Sequence, residues 1–344
     1  MFRLPAEWEP QDAVQLTWPH AQTDWAPLLA QVIPLYEELV ARLVRVCEVV
    51  IGAPAGEVES LRARFAAAAM PAGRVHLYPV RSDDTWARDH GPLTVVSADG
   101  PCLMDYRFNG WGGKYPGQRD DALTESLYRQ GAYPGAGYRR RELVLEGGAI
   151  EVDGQGTLLT TEACLLNPNR NPGLDRSAVE AVLQADFGVS KINWLKHGAL
   201  EGDDTDSHID TLARLGPENV IVYQHCDQPG DSHYQALTAM AGELAALTDA
   251  RGRPYRLVPL PWPAAKSDES GNRLPATYAN FLIVNGTVLV PQYDDPRDPE
   301  ALVQVEKAFP GYTVEGLHCL PLIRQHGSLH CITMQLPRGV LHAR

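Results

Sequence analysis

Five amphipathic, helix-forming stretches recur at a near-constant interval, and no other feature of the chain restricts its fold as much. They begin near Glu57, Asp120, Arg176, Asp231 and Asp298, so successive starts lie 63, 56, 55 and 67 residues apart. Several open on an acidic or capping residue and close at Gly131, Gly188 or Pro310, as helix boundaries do. Around them run short segments rich in Val, Ile, Leu and Tyr: RVHLYPV, LTVV, CLMDY, GTLLTT, KINWL, NVIVYQ, YRLVPL, FLIV, TVLVP, LHCL and HCITMQL. Bounded by Gly, Pro, Asn or Asp, these read as strands. The pattern is α/β, with five helix-plus-strand repeats. Two arrangements satisfy it, a closed array of repeats and a plain α/β sandwich with evenly spaced helices, and spacing alone does not separate them. An additional helix is expected from about Pro27 to Cys47, with Leu28, Leu29, Val32, Leu35, Tyr36, Leu39 and Leu43 on one face and a kink at Pro34.

Charge narrows the range of partners. The 344 residues carry 30 Lys and Arg against 43 Asp and Glu, a formal net charge of −13, and no basic run offsets it locally. Nucleic acid and anionic membranes are therefore not expected partners. The most apolar segment, Phe281 to Pro291, is interrupted by Asn285 and Gly286, and nothing approaches the roughly 18 apolar residues of a membrane helix. The N-terminus places Pro5, Glu7 and Glu9 where a secretory signal needs an apolar stretch, so a cytoplasmic protein is expected. The six cysteines lie far apart, without CxxC or zinc-site spacing, and are expected to be mostly buried, reduced thiols.

Five polar clusters recur at the edges of the expected strands, once per repeat: TWARDHGP around Asp89, LEGG around Glu146, SHID with His208 and Asp210, TYANF around Asn280, and GSLHC ending at Cys331. Their key residues are 57, 62, 72 and 51 apart, tracking the helices. Cys331 suits either a buried structural thiol or a thiolate nucleophile served by a nearby proton carrier. If SHID is extended, His208 and Asp210 share one strand face, as a structural pair, as metal ligands with His225 and Cys226, or as an acid–base group with its carboxylate. Asp89 follows Trp86, a rigid aromatic wall, and precedes the Gly91–Pro92 bend. Asp89 and Asp210 facing one pocket would repel unless a cation lay between them, and a guanidinium fits that gap with bidentate hydrogen bonds. Glu146 precedes Gly147 and Gly148, which permit a close backbone approach, and suits either a turn or the carboxylate that orients His208. Walker A, GxGxxG, GxSxG and HExxH patterns are absent, which removes support for phosphate-loop, dinucleotide, α/β-hydrolase and zinc-protease chemistry.

The runs PAEWEPQDAVQLTWPH, DDTWARDHGPL, LEGGAI, TTEACLLNPNRNPG, GDDTDSHIDTLARL, NFLIVNGTVLVPQYDD and GSLHCITMQLP occur in order between residues 4 and 337. Together they resemble agmatine deiminases and the bacterial peptidylarginine deiminases, members of the guanidine-modifying superfamily. The resemblance implies a five-bladed pseudo-symmetric α/β propeller (pentein) and one catalytic domain over residues 1–344, built of five repeats. It implies Cys331 as nucleophile, His208 as general acid and base, Asp89 and Asp210 as guanidinium-binding carboxylates, Glu146 as the carboxylate near the histidine, and Trp86 as an aromatic lining residue. Neither cofactor nor metal is implied. The partner is a small cationic guanidino substrate, and a homodimer is the assembly to look for.

The implied reaction takes agmatine to N-carbamoylputrescine and ammonia through a covalent thiouronium on Cys331. Peptidyl-arginine or another guanidino compound, or guanidine binding without catalysis, are the alternatives. For the substrate tail, Asp203, Asp204 and Asp206 form an acidic group before His208 that suits an ammonium, with Asp204 the assigned contact and a solvated loop the competing reading. Two stretches depart from the family pattern. Asp206 and Ser207 stand where Asn-Gly is usual, and Gln325 to Leu329 stands where a glycine run with an asparagine is usual.

Overall fold

Parallel strands need a long crossover while antiparallel ones need only a turn, and the chain uses both in alternation. The computed structural model describes residues 2–71 and 73–342. Its strands pair into five sheets; in four of them a strand is antiparallel to the next, which is parallel to a third reached through a helix, and the remaining sheet has four strands. The chain divides into two compact units, Met1–Trp8 with Gly148–His330, and Glu9–Gly147 with Cys331–Arg344.

The second unit holds two sheets. Strands β1 (Gln11–Thr17), β2 (Glu48–Ala53) and β3 (Val75–Pro79) are joined by two parallel crossovers, the helices Leu29–Leu43 and Val58–Ala67. The C-terminal strand β16 (Met334–Pro337) completes this sheet antiparallel to β1. Strands β4 (Leu93–Ser97), β5 (Gly100–Arg107) and β6 (Gly137–Val144) form the other, with helix Leu123–Arg129 in the crossover. Ala13, Val50, Leu103, Leu127, Tyr133 and Leu336 pack as one core that draws on both sheets and that helix.

The first unit holds three sheets: β7 (Ile150–Val152), β8 (Thr157–Thr161) and β9 (Lys191–Leu195); β10 (Ala213–Gly216), β11 (Val220–Gln224) and β12 (Arg256–Leu260); and β13 (Leu282–Val284), β14 (Thr287–Gln292) and β15 (Thr313–His318). Helices Arg176–Phe187, Tyr234–Ala246 and Asp298–Ala308 make the respective crossovers. Local sequence sets their ends. Asp175 caps the first through a 2.9 Å bond from the Ala178 amide, and Gly188 ends it in the left-handed region at φ 67°.

The structure corrects five readings. Helix Leu29–Leu43, set apart by spacing, is a crossover equivalent to the others, because the first sheet has two parallel steps. The helix expected at Asp231 starts at Tyr234. In LHCL the strand ends at His318 and Leu320–Ile323 turns helical; in HCITMQL the strand begins only at Met334. SHID is not extended: His208 (φ −53°, ψ 134°) leads into the 3-10 turn Ile209–Thr211, which contains Asp210.

The repeat also places the candidate residues. Asp89, Glu146, Asp210, Asn280 and Cys331 each lie two to four residues before the first strand of a sheet, β4, β7, β10, β13 and β16 respectively. Four of the clusters sit in a turn that delivers the chain into a hairpin, and the fifth, at Cys331, leads into the C-terminal strand that pairs antiparallel with β1.

Candidate active site

In the unit of residues 9–147 and 331–344, Trp86, Asp89, Glu146 and Cys331 are all buried. Asp89 sits in the helical turn Ala87–His90, which closes onto the Trp86 carbonyl through the Asp89 amide at 2.9 Å. The Arg88 amide donates to the Cys331 carbonyl at 3.0 Å, so the backbones carrying Asp89 and Cys331 are tied together. A Cβ on Gly147 would lie 2.2 Å from the Arg88 carbonyl oxygen. Only glycine permits that approach, so the Gly after Glu146 serves a close contact rather than a turn alone.

Trp111 was not indicated by the cluster spacing. Its indole Nε1–H donates to Asp89 Oδ2 at 2.9 Å from a residue at φ 54°, a conformation held by the Asn109 side-chain cap on the Gly112 amide at 2.8 Å. Trp86 packs on Trp25, ring centroids 5.6 Å apart. Behind them burial pushes the Asp84 carboxyl up to about 6, partly offset by hydrogen bonds from the Trp25 indole, the Thr85 amide and the Trp86 indole. The aromatic wall thus rests on a buried carboxyl.

In the unit of residues 1–8 and 148–330, His208 and Asp210 are fully buried and held by a loop that consumes two of the expected acidic residues. Asp203 accepts from the Thr205 amide and hydroxyl and from the Ser207 amide, at 3.0, 2.6 and 2.8 Å. Asp206 pairs with buried Arg170 at 2.7 Å, and Arg170 also donates to the Thr205 carbonyl at 2.8 Å. The acidic group is therefore not simply a solvated loop, since Asp203 and Asp206 both hold the turn in place.

Both departures from the family pattern meet here. Asp206 and Ser207 take φ 66° and 68°, and His326 takes φ 68° with its Nδ1 2.8 Å from the Gly202 carbonyl oxygen. A left-handed serine is strained by about 1–2 kcal/mol relative to glycine, which itself gives back about 0.5–1 kcal/mol through chain entropy. Ser207→Gly is accordingly expected to stabilise the protein by about 1 kcal/mol, read as a higher urea midpoint at unchanged slope. A lower midpoint would show that the turn stores no such strain.

A buried ionic cluster lies behind Asp210. Asp210 Oδ2 is 2.7 Å from His330 Nδ1, and His330 Nε2 is 2.8 Å from Glu7 Oε2. Fully buried Arg214 bonds Glu7 at 2.5 Å and also Glu151 and the Phe281 carbonyl. Asn280 ties the pieces together, donating to the Asp210 carbonyl at 3.2 Å and accepting from the His330 amide at 2.9 Å. Burial alone would raise the Asp210 carboxyl, yet the hydrogen bond and charge of His330, with His208 and Arg214, hold it below the usual carboxylate value. Ligand atoms of Glu7, Glu151 and His330 lie within 4.8 Å of one another, a grouping that would suit a metal. Arg214, bonded to both carboxylates, already supplies the cation there. His225 and Cys226 do not join His208 and Asp210 in a ligand group among the described residues.

All six cysteines are buried. Burial pushes the Cys47 thiol up to about 12 and raises Cys102 and Cys226. Among the described residues no helix is long and apolar enough to cross a membrane.

An agmatine deiminase of Pseudomonas aeruginosa (strain LESB58) is 34% identical over 359 aligned residues, covering 98% of this chain and 95% of that protein. A solved C. jejuni agmatine deiminase, a cysteine-to-serine variant with substrate bound, is 32% identical with a TM-score of 0.90, over 99% of this chain and 97% of that one. A Porphyromonas gingivalis structure, provisionally named an arginine deiminase, is 46% identical with a TM-score of 0.91, over 98% and 99%. The five α/β repeats are those of the pseudo-symmetric propeller class expected from the sequence. With its pattern matched from residue 3 to residue 337, the chain belongs to the Porphyromonas-type peptidyl-arginine deiminase family.

Proposed function

We propose that the protein is an agmatine deiminase, a hydrolase that converts agmatine and water to N-carbamoylputrescine and ammonia. The observation that carries the reading is the preparation of two buried carboxylates for a cation. Asp89 and Asp210 each have one oxygen held by a ring nitrogen, that of Trp111 or of His330. Held carboxylates of this kind bind a planar guanidinium bidentately and in a fixed orientation.

In this reading the Cys331 thiolate attacks the guanidinium carbon, and His208 protonates the departing nitrogen as the C–N bond breaks and ammonia leaves. A thiouronium remains, joined through a new C–S bond. His208 then takes a proton from water, which adds to the same carbon, and the C–S bond breaks to return the thiolate and the ureido product. Glu146 orients and charges His208, and Trp86 lines the guanidinium. The five repeats act as one catalytic domain, and no step calls on a cofactor or metal. The setting is cytoplasmic, the partner a small cationic metabolite rather than nucleic acid, and the assembly a homodimer.

Asp204 is assigned to the substrate's distal ammonium as an acidic residue four positions before His208. A half-buried carboxylate there repels the α-carboxylate of free arginine once the bound substrate excludes water. The Porphyromonas gingivalis relative, at 46% identity, favours a second reading in which arginine itself is the substrate. Ammonia release from agmatine, free arginine and a C-terminal-arginine peptide decides between them. Agmatine is expected to exceed arginine in kcat/KM by about 100-fold, or about 2.7 kcal/mol; a better rate with arginine or the peptide would move the substrate while leaving the chemistry.

A further inference from the structure

Glu7 belongs to the N-terminal PAEWEP run, and nothing in the reaction calls for it. It is nevertheless buried, and both its oxygens are used: Oε1 accepts from the Ile283 amide at 2.7 Å, and Oε2 faces His330 Nε2 at 2.8 Å and Arg214 at 2.5 Å. His330, buried on the other side of that contact, reaches Asp210 with its second nitrogen at 2.7 Å. The imidazole is thus pinned between two carboxylates 203 positions apart in sequence. Its backbone is fixed as well, since the His330 amide bonds both oxygens of Asn280, whose side chain in turn holds the Asp210 carbonyl.

Three carboxylates, Glu7, Glu151 and Asp210, share this cluster with one arginine and one histidine. Arg214 bonds Glu7 and Glu151 and also faces His330 Nε2 at 3.0 Å, while His330 Nδ1 reaches the Asp210 carboxylate directly at 2.7 Å. We propose that His330 is the positioning residue of Asp210, with Glu7 clamping the far edge of its ring so that Asp210 meets the guanidinium in one orientation. The proposal rests on the assignment of Asp210 to the guanidinium made above.

Two isosteric replacements separate the ring's nitrogens. In His330→Asn the amide nitrogen falls where Nδ1 was and keeps the donor to Asp210; in His330→Gln it falls where Nε2 was and keeps only the end of the ring that faces Glu7 and Arg214. Agmatine kcat/KM is expected to stay within about tenfold of wild type in His330→Asn and to fall about 100-fold in His330→Gln, the value of a buried hydrogen bond to a charged group. A second readout is the ratio of inactivation rates by chloroacetamidine and iodoacetamide. The cationic amidine needs Asp210 and the neutral amide does not, so this ratio should fall in His330→Gln alone.

Equal loss in both variants, or loss in neither, overturns the proposal. Should a His330 variant fail to fold, Glu7→Gln keeps the acceptor for Ile283 and removes the anion that clamps the ring. A fallen amidine ratio in it supports the proposal, and an unchanged ratio overturns it. Asp210→Asn is run beside them. If it leaves the ratio and agmatine turnover at wild-type values, the assignment of Asp210 has failed and takes the proposal with it, a result distinct from failure of the His330 step.

Discussion

Cys331→Ser is expected to lower agmatine turnover by on the order of 10³-fold or more, because a hydroxyl is far less ionised and less nucleophilic than a thiol. The fold should be unaffected. Cys331 is anchored through its carbonyl, which accepts from the Arg88 amide, and serine keeps that bond. Thermal unfolding therefore separates lost chemistry from lost structure, and the variant should melt close to wild type. Cys47, with its thiol pushed up to about 12, and Cys102 and Cys226, also raised by burial, are poor nucleophiles at neutral pH. A haloacetamidine is expected to add once, on Cys331, and labelling of another cysteine would reassign the nucleophile.

The second large effect is expected at the two carboxylates. Asp89→Asn and Asp210→Asn should each lower kcat/KM by on the order of 10³-fold, since each removes a charged hydrogen-bond pair to the guanidinium in the transition state. Asparagine retains an oxygen to accept from Trp111 or His330, so local support survives and the loss reports charge. A variant within tenfold of wild type would make that residue structural.

The folded pKa of Asp210 is depressed, so its contribution is present above the unfolded pKa and is lost as pH falls through the lower, folded one. Wild type should therefore destabilise more steeply on acidification below about pH 4 than Asp210→Asn does.

The candidate residues were legible in the sequence because the repeat places one polar cluster before each of the strands β4, β7, β10, β13 and β16, and that period survives in one dimension. What holds those residues was not. Trp111 is 22 positions from Asp89, His330 is 120 from Asp210, and Glu7 is 323 from His330. Spacing carries no trace of such pairs, which only tertiary folding creates. The NGWGGKY run was the one available hint of Trp111, since its glycines allow the backbone that aims the indole at Asp89.

Strand β6 escaped notice for a local reason. Its sequence, GYRRRELV, is basic and largely half-exposed at a sheet edge, so it lacks the apolar run that marks a buried strand. SHID misled in the opposite direction. Its alternation imitates a strand, but the left-handed pair Asp206–Ser207 and the Thr211 hydroxyl bond to the His208 carbonyl turn the chain there.

Acid-quenched turnover of agmatine by the wild-type enzyme, followed by peptide mass mapping, tests the central claim most directly. The account predicts an adduct on the peptide containing Cys331, with the added mass of agmatine less ammonia, and none in Cys331→Ser. An adduct on another residue, or ammonia release from agmatine by Cys331→Ser at the wild-type rate, would contradict it.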